Sequence, residues 1–304
     1  MPAISAFRSD DARAAYCQLY DAALAVSPIQ VTESDIETSF GRTHLLHAGD
    51  PSKPPLVALH GAAISSTSWV PLLPILAAAH NVTMIDIIGD AGKSIPTKPT
   101  TNSADLVAWL DETLRAVDIE RSAIVAMSRG AWIATHYATA FPERVDRLAF
   151  VCPVGIVGGM SPSFLVRAVT TVAVPPTERR VQALLDTMVL PTNRVLLHQE
   201  PWGPTMKQFI CGAIGFKVAV SNPQPKLWPM RSDCDLQRLA SARIPVLAII
   251  GRDESAHNGP KTATCFRQQL PEARIELVDD ANHMVMVDQP EIVEKLLAEL
   301  LHWR

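Results

Sequence analysis

Six apolar runs of strand length recur along the chain: Leu56–Leu59, Val82–Ile85, Ala123–Met127, Leu148–Cys152, Val246–Ile250 and Ile275–Val278. Most show little apolar/polar alternation, the pattern of strands buried on both faces of a parallel sheet. Two extended stretches precede them, Ile29–Phe40 and Thr43–Ala48, on either side of Gly41. Helical periodicity fills the gaps. Ala12, Tyr16, Leu19 and Ala23 predict a leading amphipathic helix over residues 9–25, and Leu106, Val107, Leu110, Leu114 and Val117 share one helical face. Three more helical segments are bounded by proline: from Gly130 to a stop at Pro142, from Pro260 to a stop at Pro271, and from Pro290 through Ile292, Val293, Leu296, Leu297 and Leu300. Strands alternating with helices predict an α/β chain with a doubly wound, mostly parallel, eight-stranded sheet.

The rhythm breaks between Gly155 and Asp235, where apolar, proline-punctuated pieces such as PSFLVRAVTTVAVPP and MKQFICGAIGF replace clear strands. A structureless loop of about 80 residues is out of place in a compact domain. A mostly helical insertion at 155–235 is expected instead, between core segments 1–154 and 236–304. It is expected to lie over the C-terminal edge of the sheet, where such folds bind ligands.

Composition narrows the classes. At 304 residues and 48% hydrophobic, the chain can bury a large core and is not disordered. Its 27 Lys+Arg against 31 Asp+Glu include no basic run, so nucleic acid is not an expected partner. Two stretches without charged residues, Pro54–Ile85 and Leu148–Val166, are broken by proline and glycine, and no membrane span is expected. The N-terminus lacks an apolar signal segment. Five scattered cysteines without a CxxC pair argue against a metal site or a disulfide framework. The expectation is a cytoplasmic, reduced protein without metal or organic cofactor. Oligomeric state leaves no signature in this pattern.

Four short segments carry candidate chemistry. In Ala126-Met127-Ser128-Arg129-Gly130 a serine sits between a strand end and a helix start, flanked by small residues at −2 and +2. That spacing suits a sharp nucleophile-bearing turn, although a serine capping a helix would look similar. After the run Leu56–Leu59, His60-Gly61-Ala62-Ala63 forms a tight exit. Its Ala62 N–H, with the Arg129 N–H, would make two donors for a developing oxyanion. His283, in Ala281-Asn282-His283, stands just after the last strand, where a general base is needed. Asp253 and Glu254 both leave the strand ending at Gly251, and either carboxylate would orient an imidazole. The chain order serine, acid, histidine is that of one serine-hydrolase architecture.

A rival motif fails. Gly92-Lys93-Ser94 after a strand resembles a phosphate-binding loop, but that pattern needs glycine at 87, where isoleucine stands, and Pro96 interrupts the required helix.

On these motifs the chain resembles the α/β-hydrolase superfamily over nearly its whole length, with the insertion standing where that family carries a cap domain. HGAAISSTSW, DIIGDAGKSIP, AMSRGAW and ANHMVMVDQP are similar to a bacterial carboxylesterase subgroup. The resemblance implies an acid three residues after the glycine closing its strand. Counting from Gly251 gives Glu254, with Asp253 as second choice. It implies hydrolysis of a carboxylic ester through an acyl-enzyme on Ser128, with His283 as base. Cap residues Phe164, Trp202 and Phe209, with Leu165, Phe216 and Trp228, are candidates to line a site for a small apolar ester or lactone. The same scaffold would also serve C–C bond hydrolysis, acyl transfer or ligand binding without turnover.

Overall fold

The computed structural model describes residues 4, 6–173, 176–216 and 234–302. Its sheet is built from β1 (Val31–Thr38), β2 (Gly41–Ala48), β3 (Pro55–Leu59), β4 (Asn81–Ile85), β5 (Ile95–Pro96), β6 (Ser122–Met127), β7 (Val145–Val151), β8 (Val246–Gly251) and β9 (Arg274–Val278). Eight of these run in the order β1-β2-β4-β3-β6-β7-β8-β9, and β5 pairs with β2 at one side. β2 is antiparallel to both β1 and β4, with Leu45 opposite Ile85, and every pair from β4 to β9 is parallel. The eight expected strands are present. The two-residue β5, too short to leave a periodic signal, is additional.

Burial on both faces explains why the central strands show so little alternation. Leu56 and Ala58 of β3, with Val125 of β6 and Ile249 of β8, enter one apolar layer. Val57, Leu59, Ala126 and Ile250 enter the other. Each fully buried Leu or Ile contributes about 1.5–3 kcal/mol through water exclusion. The first layer is closed by α1 (Asp10–Ala25), α2 (Leu73–Leu76), α10 (Val285–Asp288) and α11 (Pro290–His302). The second is closed by α3 (Ser103–Ala116), α4 (Arg129–Ala140), α8 (Leu236–Ser241) and α9 (Gly259–Gln269). At the edge, β1 (VTESDIET) mixes exposed acids with half-buried residues, as an edge strand must to avoid pairing with other chains. Helix α1 starts where Ser9 Oγ accepts from the Ala12 N–H at 3.1 Å, with Asp10 and Asp11 at the positive end of its dipole.

Between β7 and α8 the described chain holds α5 (Pro162–Ala173), α6 (Glu178–Leu185), a 3₁₀ turn over Pro191–His198, and α7 (Trp202–Gly215). α7 packs on α1 and on the 3₁₀ turn, and α6 packs on α5 and α7. Residues 217–233, within the expected insertion, lie outside the described residues, and Trp228 with them. Among the described residues no helix is long and apolar enough to cross a membrane.

Candidate active site

Ser128 ends β6 and begins α4 with φ 51° and ψ −118°. A residue with a Cβ pays about 1–3 kcal/mol for such a conformation. The turn is held because the Ser128 N–H donates to Val151 O at 2.9 Å and the Ala131 N–H donates to Ser128 O at 3.1 Å. Space is equally constrained. A Cβ on Gly130 would sit 2.5 Å from His60 O, and one on Gly61 would sit 3.3 Å from the Ser128 Cβ. The serine occupies the helix-cap position, yet its hydroxyl makes no cap bond. Its Oγ lies 3.2 Å from His283 Nε2 instead.

His283 sits in the turn after β9, with Nδ1 at 2.8 and 3.0 Å from the two carboxylate oxygens of Glu254. Two contacts to an acceptor fix the proton on Nδ1 and leave Nε2 as the acceptor facing the Ser128 hydroxyl. The Glu254 side chain is fully buried. Burial pushes its carboxyl up, but the charge and hydrogen bond of His283, the nearby His257 and the Ala256 N–H at 2.7 Å together hold it below its ordinary value. Asp253 is exposed, and its N–H donates to Ala281 O. Spacing alone left two acids open; the structure brings Glu254 to the imidazole.

Three further groups frame this line of hydrogen bonds, and sequence reading gave them no role. Asn282 Oδ1 accepts from the N–H groups of Ser255 at 2.8 Å and His283 at 2.7 Å, tying the acid loop to the histidine loop. Buried Asp288 accepts from Asn282 N–H at 2.8 Å, Asn193 Nδ2 at 2.8 Å and Leu190 N–H at 3.1 Å. His257 donates from Nε2 to Pro153 O at 3.0 Å and meets Thr262 Oγ1 at 3.1 Å through Nδ1. Burial pushes its pKa down, against the opposing pull of the Glu254 carboxylate. Asn282 and Asp288 both lie within ANHMVMVDQP, so their place beside the histidine was the one signal available.

Ala62 and Arg129 both border the space in front of Ser128. Arg129 is the first residue of α4, and its buried guanidinium bonds Asp90 Oδ2 through Nη1 at 2.9 Å. The same carboxylate accepts from the N–H groups of Ala63 at 3.1 Å and Ala91 at 2.8 Å. His60 is fully buried, with Nε2 accepting from the Ile87 N–H at 2.9 Å and Nδ1 2.7 Å from Gly61 O. It braces two loops and stands away from proton transfer. The Gly92-Lys93-Ser94 segment is also structural. Lys93 Nζ is paired with Asp21 and Glu33, and Ser94 Oγ donates to Asp86 O.

Ser128 and His283 open into a cavity of about 280 Å³ beneath α5, α6 and α7. Phe164, Trp202 and Phe209 line it, as expected; Leu165 and Phe216 do not. Its wall is apolar, and Met127, Met160, Met188, Met206, Met284 and Met286 form much of it. A larger depression of about 630 Å³, bordered by Ile29, His47, Asp50 and Lys53, contains none of these groups. Among the described residues no cluster of three His, Cys, Asp or Glu side chains is arranged to hold a metal ion.

Comparison with known proteins gives concordant matches. A model of the alpha/beta hydrolase family matches residues 56–296. An uncharacterised carboxylesterase, nap, of Bacillus subtilis (strain 168) is 29% identical over 283 residues, covering 92% of this chain and 90% of the relative. Carboxylesterase YbfK of the same organism is 24% identical over 290 residues, covering 94% and 93%. The crystal structure of naproxen esterase (carboxylesterase NP) from Bacillus subtilis superposes with a TM-score of 0.86 at 27% identity, covering 99% of this chain and 100% of that one.

Proposed function

The chain belongs to the alpha/beta hydrolase family, and from that premise we propose that it hydrolyses carboxylic esters through an acyl-enzyme on a Ser128–His283–Glu254 triad. The observation that carries this reading is the unbroken line from Ser128 Oγ through the His283 ring to the buried Glu254 carboxylate. The names of its carboxylesterase relatives support the same reaction.

The chemistry follows from that line. Ser128 Oγ attacks the ester carbonyl carbon as His283 Nε2 takes its proton. The imidazolium is stabilised by Glu254 through Nδ1–H. Charge gathers on the former carbonyl oxygen, which accepts from the N–H groups of Ala62 and Arg129. When the tetrahedral intermediate collapses, the C–O bond to the alcohol breaks and His283 returns the proton to the leaving oxygen. Water, deprotonated by His283, then attacks the acyl-serine carbon; the bond to Ser128 Oγ breaks, His283 returns the proton to Oγ, and the carboxylic acid leaves. Nothing in these steps calls on a metal or an organic cofactor.

The methionine and aromatic wall suits a small, neutral, apolar ester, because flexible polarisable side chains fit irregular apolar groups. Phe164, Trp202 and Phe209 are its proposed contacts. Residues 155–235 form the proposed cap, between core segments 1–154 and 236–304. The proposed setting is the cytoplasm.

A fluorophosphonate probe followed by intact-mass analysis tests the nucleophile. Expected are one adduct on the wild type, none on Ser128→Ala, and a fall in ester turnover of at least about 10⁴-fold in that variant. An adduct that persists in Ser128→Ala, or near wild-type turnover there, overturns the triad. A panel of simple esters, lactones and thioesters then ranks the acyl groups accepted.

A further inference from the structure

The proposed oxyanion donors sit on two loops that are far apart in the chain, and one buried carboxylate touches both. Asp90 lies in the turn after β4, in the very segment whose Gly-Lys-Ser ending suggested a phosphate loop and then failed that test. Its Oδ1 accepts from the Ala63 N–H at 3.1 Å, and its Oδ2 accepts from Arg129 Nη1 at 2.9 Å. Ala63 has φ 59°, a conformation that an L-residue with a Cβ adopts at a cost. With the Ala63 N–H committed to Asp90, the donor this turn offers an oxyanion is that of Ala62. Arg129 opens α4, where backbone N–H groups project from the helix end, and its side chain is drawn to the same carboxylate.

We infer that the buried Asp90–Arg129 pair is a positioning device that sets the separation of the Ala62 and Arg129 N–H donors. This rests on the esterase reading above, since it assigns a role within that site. Neither side chain is a proton carrier, and neither is required by the Ser128–His283–Glu254 line. A buried ion pair adds little stability over a well-packed neutral substitute, so stability alone does not account for it. A fixed distance between two donors does, because an oxyanion hole lowers the barrier only when its donors already stand where charge will form.

The test is the double variant Asp90→Asn/Arg129→Met, which removes both charges together and leaves neither ion buried alone. It is compared with wild type for hydrolysis of 4-nitrophenyl butanoate and inhibition by the matching trifluoromethyl ketone, whose adduct on serine carries an oxyanion. Expected are a folded protein, a kcat lower by about 10²-fold, a KM within about threefold, and a ketone affinity weakened by the same factor as kcat. A folded double variant with wild-type kcat and ketone affinity overturns the inference, as does a loss confined to KM. If the double variant fails to fold, Arg129→Lys decides alone. It keeps a cation beside Asp90 but loses the reach of the guanidinium, and must show the same split between kcat and KM at a smaller size. A wild type that neither hydrolyses the ester nor reacts with fluorophosphonate overturns the esterase reading itself, and the positioning role with it.

Discussion

Asp253 and Glu254 are neighbours in the chain with opposite surroundings: one is exposed, and the other holds a buried carboxylate against the His283 ring. Their amide variants therefore separate cleanly. Glu254→Gln keeps the size of the side chain, but it places an amide against Nδ1 and removes the charge that, in the proposed mechanism, stabilises the imidazolium. The expected outcome is a fall in kcat of about 10³–10⁴-fold, as for other triads that lose the acid. Asp253→Asn is expected to leave kcat within about twofold, since a substitution at an exposed site changes little. Steady-state kinetics on purified variants checks both, and equal losses would mean that the acid has been misassigned. The same contrast holds at Gly130, whose absent Cβ is what lets α4 start against the carbonyls of β3 and its exit. Gly130→Ala is expected to cost about 1–3 kcal/mol, read as a lower urea midpoint, because backbone atoms cannot move aside as a side-chain tip can.

Among the elements, the segment after α6 is bound into the histidine loop. Met284 N–H donates to Met188 O at 2.8 Å, Asn282 Nδ2 donates to Thr187 O at 3.0 Å, and Asp288 gathers Leu190, Asn193 and Asn282. Met188 also lines the cavity, so the cavity wall and the loop that carries His283 are hydrogen-bonded to one another. Asp288→Ala leaves those donors without their charged acceptor. A loss of about 2–4 kcal/mol is expected, together with faster amide exchange across residues 187–193 and 282–288. Unchanged exchange in the first segment would show that Asp288 does not join the two. Such joints explain what the sequence could and could not reveal. Strands β3 to β9, apart from β5, are apolar runs set off by proline, glycine and charge, and the order of Ser128, the acid and His283 follows from their strand ends. Asp90 meets a residue 27 positions away, and Asp288 meets one 98 positions away. Neither pairing leaves a local period, and each carboxylate reads in sequence as an ordinary turn acid. The count from Gly251 that the resemblance supplied lands on Glu254, the carboxylate that meets His283 Nδ1. The candidates between 155 and 235 had no such ruler, and Leu165 and Phe216 do not line the cavity.

For the molecule as a whole, the site is assembled from the exits of the six parallel strands β3, β4, β6, β7, β8 and β9, so its integrity is tied to the stability of the sheet. That stability depends on pH through buried imidazoles. Burial pushes His60 and His257 below their ordinary value, and His47 likewise. In the unfolded chain each titrates near 6.5. Between the lowered folded value and about 6.5 the unfolded chain binds more protons than the folded one, so stability rises with pH through that window and is lost as pH falls. The structural reason is visible at His60, whose Nε2 accepts from the Ile87 N–H and cannot also carry a proton. Glu254 adds a second, more acidic loss. Its folded value is lowered, so its contribution is complete above the ordinary carboxylate range and disappears as pH drops through the folded value. Urea midpoints are therefore expected to fall already between about pH 7 and pH 5.5, before the carboxylates titrate, and to fall again below about pH 4.5. His60→Gln, which cannot titrate, is expected to start from a lower midpoint but to show a shallower decline across the first interval. A wild-type midpoint that stays flat from pH 7 to pH 5.5 would mean that the buried imidazoles accept protons without cost. The brace between the β3 and β4 exits would then have to be held by something other than the neutral ring of His60.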